Sequence, residues 1–278
     1  VIGEINNIKF MINIEEIANK VGEIAKNTGL FISSKRATIS HSNIEVKGTH
    51  NYVTDIDKQS EKMIVKELSS LFPEAGFITE EETIKRESKE YNWIIDPLDG
   101  TTNFIHDVPV VSVSIALAYH NRPIIGAIYE IGRDELFLAW ENGPALLNGK
   151  EIKVTRQNNL NESLLATGFP YYDYGLMDQY LRLFRYLMEN SRGLRRLGSA
   201  AADMAYVACG RFDAFYEYGL HPWDVAAGTI IIRQAGGIVS DFNNGESFME
   251  SKRLLASNGA IHEAMLQAID QYFADKSA

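Results

Sequence analysis

The stretch W-I-I-D-P-L-D-G-T-T-N-F, Trp93 to Phe104, restricts this chain more than any other. Trp93-Ile94-Ile95 has the aromatic and β-branched make-up of a buried strand. The run ends at Asp96; Asp99 follows around Pro97, and Gly100, Thr101 and Thr102 come next. A strand that leaves the core straight into two carboxylates has to end where other elements can answer their charge. In α/β proteins such strand ends, and the helix starts beside them, are where sites assemble. Asp-Pro-x-Asp-Gly is also ordinary turn vocabulary, so the stretch alone leaves a plain turn open.

Other carboxylates sit at similar boundaries. Asp57 stands where a helix over about 57–71 would have its N-cap. Glu80 and Glu81 follow the short strand G-F-I-T, and Asp224, in H-P-W-D-V-A-A-G, opens a helix. Taken singly, Asp57 and Asp224 read as N-caps and Glu80-Glu81-Glu82 as a solvated acidic run. Gathered in one cleft, they would repel severely without cations. Hard divalent ions with oxygen ligands answer that, and Mg²⁺ is the default in cytoplasm. Asp96 could then bridge two ions, with Asp99 on one of them. Leu98 can offer only its backbone carbonyl. Gly100 lets the backbone approach an anion closely. The N–H groups of Gly100-Thr101-Thr102, opening a helical turn, suit phosphate oxygens. Thr101 adds a hydroxyl, as a metal ligand or to orient a water.

Composition narrows the rest. A chain of 278 residues, 45% hydrophobic, can bury a sizeable core as one large domain or two closely packed ones. A formal net charge of −10 speaks against non-specific nucleic-acid binding, which wants a basic face. For the bulk of the surface it reads as solubility. A single cysteine, Cys209, excludes an intrachain disulfide and suits a reducing cytoplasm. Among the small apolar residues of A-Y-V-A-C-G it reads as an inert thiol. No apolar run approaches the ~20 residues of a membrane span. The histidines lack zinc-ligand spacing. Arg192, Arg195 and Arg196 form a basic cluster that could help hold an acidic substrate, with a surface or subunit-contact role the preferred reading. The first ten residues lack signal-peptide features. With Met11 as a natural start, residues 1–10 read as an upstream extension or a cloning remnant; an N-terminal arm with a processed Met is the alternative.

Periodicity predicts a helix over 13–33, a loop or short hairpin over 47–57, and a helix over about 57–71 stopped at Phe72-Pro73. Strands follow at 76–79, 91–95, 110–119, 123–131 and 134–140. R-Q-N-N-L-N-E-S, 156–163, reads as a linker. Beyond it, helices over about 177–190, 199–208, 224–235 and 260–273 alternate with strands at 164–167, 213–217 and 237–240. That is the pattern of a layered α/β unit. Residues 11–150 then make an N-terminal α+β half with most candidate ligands, and 151–278 an α/β half that completes the site.

The sequence resembles the inositol monophosphatase family of Mg²⁺-dependent, lithium-sensitive phosphatases, from about Met11 onward. The resemblance rests on residues 93–104 and on W-D-V-A-A-G-T-I-I-I-R-Q-A-G-G (223–237). Supporting it are V-T-D-I-D-K-Q-S-E-K (53–62), F-I-T-E-E (77–81), G-S-A-A (198–201) and Y-E-Y-G-L-H-P-W-D (216–224). It implies an αβαβα sandwich of class α/β, a cytoplasmic homodimer, and two or three Mg²⁺ per subunit. Glu80, Asp96, the Leu98 carbonyl and Thr101 resemble the ligands of a first metal. Asp96, Asp99 and Asp224 resemble those of a second, and Glu80 also serves a weaker third. Asp57 and Thr101 resemble the pair that activates the attacking water, with Glu80 in the same catalytic group. The implied substrate-binding set is Asp99, Gly100, Thr101, Thr102, Ser199, Ala200, Glu217 and Asp224. In it the Gly100 and Thr101 amides take phosphate, while Glu217, the Ala200 amide and Asp224 contact the alcohol part. Glu81 backs the ligands, and Lys47 lies near a family lysine close to the phosphate, in a loop of different length. Thr79, Glu82, Asn51 and Asp55 depart from the family pattern without removing a ligand.

The implied reaction is hydrolysis of a phosphate monoester by in-line attack of water, without a phosphoenzyme. The partner is a small phosphorylated polyol or sugar, with no nucleic acid and no membrane. T-T-N-F resembles inositol monophosphatases more than adenosine 3′,5′-bisphosphate phosphatases, which tend to carry T-K-E-F. Fructose 1,6-bisphosphate, NADP and histidinol phosphate are substrates of other relatives. Some bacterial relatives act with the transcription machinery, where catalysis is dispensable, so a binding role stays open. Haloacid-dehalogenase phosphatases carry D-x-D-G-T, a closer spacing than D-P-L-D-G-T.

Overall fold

The strand that contains Trp93, Ile94 and Ile95 is apolar on both faces and so needs cover on both. The computed structural model describes residues 13–36, 44–48, 51–170 and 174–273, with backbone alone for 44–48 and 51–54. The readings of residues 1–10 and of the Lys47 side chain lie outside it. In chain order the elements are α1 (Ile14–Lys35), β1 (Ile44–Gly48), β2 (Asn51–Thr54), α2 (Asp55–Leu71), β3 (Gly76–Thr79) and β4 (Tyr91–Asp99). Then come α3 (Thr101–Ile105), β5 (Ser112–Tyr119), β6 (Arg122–Glu130), β7 (Glu135–Trp140), β8 (Ala145–Leu147), β9 (Lys150–Glu151) and β10 (Leu164–Thr167). The chain continues through α4 (Met177–Glu189), β11 (Gly193–Arg195), α5 (Ala200–Ala208), β12 (Ala214–Tyr218) and α6 (Pro222–Gln234). It closes with β13 (Ile238–Ser240), α7 (Phe248–Ser251), β14 (Arg253–Ser257) and α8 (His262–Phe273).

The strands β3 to β9 form one sheet in sequence order, with β3 parallel to β4 and every later pair antiparallel. A second sheet runs β11-β10-β12-β14-β13, and β1-β2 is a separate hairpin. Trp93 and Ile95 pack with Ala18, Val21, Ile64 and Leu68 of α1 and α2. Ile94 points the other way, into a core with Met204 of α5, Ile231 of α6 and Phe215 of the second sheet. Leu183 of α4 and Met265 of α8 cover that sheet's far side. The layers are therefore α, β, α, β, α, as the resemblance implied. The central helices are apolar all round because both of their faces are buried. Among the described residues no helix is long and apolar enough to cross a membrane.

Three boundaries differ from the sequence reading, and each moves a carboxylate. β2 delivers the chain straight into α2 at Asp55, so Asp57 sits inside the first turn, buried, rather than at an N-cap. There the helix dipole favours it. Pro222, with its preset φ, starts α6, and Asp224 becomes a first-turn residue instead of the helix start. β4 runs on to Asp99 through an irregularity between Asp96 and Asp99, which accommodates Pro97. Strands β8, β9, β11 and β14 and helix α7, none longer than 5 residues, escaped the reading.

α6 lies hard against the first sheet at Gly126, where a Cβ would come within 2.5 Å of the Ala227 carbonyl oxygen. Backbone cannot yield as a side chain can. Gly126→Val should therefore cost about 1–3 kcal/mol of unfolding free energy. A denaturant titration measures this, and an unmoved midpoint would show that α6 does not press on the sheet here.

Candidate active site

At the end of β4 the chain folds on itself through short hydrogen bonds. The Leu98 N–H donates to Asp96 Oδ1 at 2.9 Å. The Leu98 carbonyl accepts from Thr101 Oγ1 at 3.1 Å, and the same hydroxyl lies 3.2 Å from Asp57 Oδ1. Gly100 makes the bend at φ 95°, a left-handed conformation that suits glycine, and caps α3. Strand alternation sends Asp96 to the same side as Ile94, toward the central helices.

The N-termini of those helices are tied to β5, the neighbour of β4. Ser199 caps α5; its hydroxyl donates to Asp99 Oδ2 at 2.6 Å and lies 3.2 Å from Ser112 Oγ. The Ala201 N–H donates to the same Asp99 oxygen at 2.7 Å. Ser114 Oγ donates to the Trp223 carbonyl at 3.2 Å, just before Asp224. Asp224 in turn accepts from the His221 N–H at 2.6 Å. On the opposite flank Glu61, fully buried, takes hydrogen bonds from Thr79 Oγ1, Glu81 N–H and Thr83 N–H at 2.7–2.9 Å. This grip shapes the turn that carries Glu80, whose own N–H donates to the Ile95 carbonyl of β4 at 3.2 Å.

These pieces surround a cavity of about 300 Å³. Glu80, Asp96, Leu98, Asp99, Gly100, Thr101, Thr102, Ser199, Ala200, Glu217 and Asp224 line it. Asp57 stands behind Thr101, outside the lining, and Glu81 is half-buried beside Glu80. Arg196, Asp203 and Phe169 also line the cavity, and none was assigned to a site from sequence. The arginine cluster divides: Arg192 and Arg195 are exposed, while Arg196 turns inward and lies 5.2 Å from the Phe169 ring centre. The G-S-A-A motif ends two residues before Asp203, and the Glu61 grip has no local signature.

The electrostatics follow from the crowding. Burial, then Asp224, push the Glu80 carboxyl well above the usual carboxylate range. Burial, then Glu80 and Asp99, do the same to Asp96. Burial raises Asp99 to about 6 against the opposing pull of Ser199, Ala201 and Arg196. Burial and Asp99 raise Asp224 to about 7. Protonation relieves this crowding, and a cation would relieve it better. Among the described residues no three His, Cys, Asp or Glu side chains are already drawn to the spacing of a bound ion. The donor set is nonetheless carboxylate, carbonyl and hydroxyl oxygen, which fits a hard divalent cation.

Residues 13–274 match the model of the inositol monophosphatase family, and the chain belongs to this family of phosphatases. Among its relatives, inositol-1-monophosphatase of Mesorhizobium japonicum is 37% identical over 91% of this chain and 96% of its own length. Nus factor SuhB of Pseudomonas aeruginosa is 39% identical, over 89% and 93%. The crystal structure of the extragenic suppressor protein suhB from Bartonella henselae superposes with a TM-score of 0.86 at 34% identity, covering 94% of this chain and 98% of that one.

A carboxyl raised by folding holds a proton that the unfolded chain, titrating near 4, releases. Unfolding therefore sheds protons between about 4 and the folded values, about 6 for Asp99 and about 7 for Asp224. In chelator, stability should fall as pH rises through that window, and a divalent cation should flatten the slope. Thermal melts at several pH values, with and without the cation, measure both; a metal-free slope of the opposite sign would contradict the crowding.

Proposed function

We propose that this protein is a Mg²⁺-dependent phosphomonoesterase that hydrolyses inositol monophosphate to inositol and phosphate by attack of water. The observation that carries the reading is one cavity at which Glu80 after β3, Asp96 and Asp99 of β4, and Asp224 of α6 meet the start of α3. Glu80, Asp96, the Leu98 carbonyl and Thr101 would hold one ion, and Asp96, Asp99 and Asp224 a second, with Glu80 shared by a weaker third. The chemistry that bound Mg²⁺ supplies is Lewis acidity toward water and toward the departing alcohol oxygen.

The chain's own groups do the rest. With its hydrogen turned to Asp57, the Thr101 hydroxyl keeps lone pairs to accept a hydrogen bond from the attacking water. Asp57, 1% exposed, then takes up the proton through Thr101. The Gly100 and Thr101 amides at the start of α3 hold phosphate oxygens, beside Thr102. Ser199 fixes Asp99, and Glu217 with the Ala200 amide receives the hydroxyls of the alcohol part. A second reading, binding to the transcription machinery, is favoured by the Nus factor name of relatives 39% identical to this chain. The two readings are compatible.

Phosphate release from inositol 1-phosphate, fructose 1,6-bisphosphate, adenosine 3′,5′-bisphosphate, NADP and histidinol phosphate tests the first reading. Turnover should need Mg²⁺, stop with EDTA or Li⁺, and favour inositol 1-phosphate. Preference for another ester would replace the substrate and keep the chemistry. No turnover by folded, metal-bound protein would leave the binding role. Asp99→Asn should lower kcat by about 10²–10³-fold with the fold intact by circular dichroism; wild-type turnover would remove Asp99 from the ligand set.

A further inference from the structure

The helix α5 reads A-A-A-D-M-A-Y-V-A, and all of its residues are buried. Asp203 is the one charged residue in it, 1% exposed, and its Oδ1 accepts no hydrogen bond. A buried carboxyl oxygen without a donor is costly, because it has lost water and gained no hydrogen bond in return. The helix dipole offers a structural reason for an acid in the first turn, but Ser199 and Asp99 already serve the first N–H groups of α5. The side chain also lines the cavity, on the wall shared with Arg196, Phe169 and Glu217.

We propose that Asp203 is a specificity-determining residue of this cavity, its carboxyl receiving a hydroxyl of the substrate's alcohol part. The surroundings define the class of ligand. Glu217 is buried on the same wall, and Gly168 leaves room for its carboxyl, since a Cβ there would lie 2.0 Å from Glu217 Oε2. Asp203 lies within electrostatic reach of Glu217, Asp99 and the Arg196 guanidinium. Two carboxyls against one guanidinium favour neutral hydrogen-bond donors over a second anionic group. The alcohol end of the cavity therefore selects a polyol that bears a single phosphate, with at least one free hydroxyl directed at α5. This role rests on the phosphatase reading for its substrate, though not for its geometry.

The test compares Asp203→Leu and Asp203→Asn with the wild-type protein. Three quantities are read: the ratio of kcat/KM for inositol 1-phosphate over p-nitrophenyl phosphate, the ligand-free Tm, and myo-inositol binding by saturation-transfer NMR. Leucine matches the shape and removes an unpaired polar group, so Tm should hold or rise by about 2–4 °C. The ratio should fall about tenfold, and asparagine, which can still hydrogen-bond, should restore most of it. An unchanged ratio overturns the proposal. So does a lower Tm with both esters losing activity in proportion, the mark of a structural residue. If the wild-type protein hydrolyses neither ester, the phosphatase reading is what fails. Inositol binding then decides: binding lost in Asp203→Leu supports the role, and equal or absent binding in both proteins overturns it.

Discussion

Like charges packed into a space that excludes most water are the constraint around which this molecule is arranged. Burial lifts the proton affinity of Glu80, Asp96, Asp99 and Asp224; Asp224 adds to it at Glu80, Glu80 and Asp99 add to it at Asp96, and Asp99 adds to it at Asp224. No single element could hold such a group, because the repulsion would push any flexible segment apart. The carboxylates are instead carried by a turn, a strand and a helix whose positions are set by three separate apolar cores. Repulsion is contained by packing done elsewhere.

The containment has a recognisable geometry. β4 is buried on both faces, so alternation has to send every second side chain toward the central helices. Those helices begin at the level where β4 ends, and β5 holds them there through Ser112 and Ser114. Glu61 does for the Glu80 turn what these serines do for α5 and α6. Each device uses a buried polar group hydrogen-bonded to backbone or to a hydroxyl, which makes it directional as well as strong. Asp203 is the exception on this wall, and its open valence sets it apart from the structural carboxyls.

The layered frame is shared with proteins named for a phosphatase and with proteins named Nus factor SuhB. A fold hosts more than one role when its site and its outer surface can change independently. In this chain the cavity lies between the two sheets, and the outer helices α1, α4 and α8 contribute no residue to its lining, while α2 reaches it only through Asp57 and Glu61. Surface and site are thus free to answer different partners.

Much was legible in the sequence because it was local. β-rich apolar runs on either side of a turn signal marked β5 and β6, a further run marked β7, amphipathic spacing marked α1, and Gly100 marked a turn. The carboxylates of D-P-L-D-G-T and of H-P-W-D stood out because charge beside an apolar run is unusual at any burial. What the tertiary structure decided was non-local. Arg196 reads as one of three surface arginines until β11 and Phe169 turn it inward. Asp203 reads as one polar residue in a helix of alanines until both sheets bury α5. Glu61 acquires its role only when β3 passes within hydrogen-bonding distance, 18 residues further along the chain. Sequence by itself determined most of the strands, helices and bends, since those follow from each residue and its near neighbours. Which side chains share one cavity, and what that neighbourhood does to their charge, waited on long-range packing, because electrostatic repulsion and desolvation depend on distance through space.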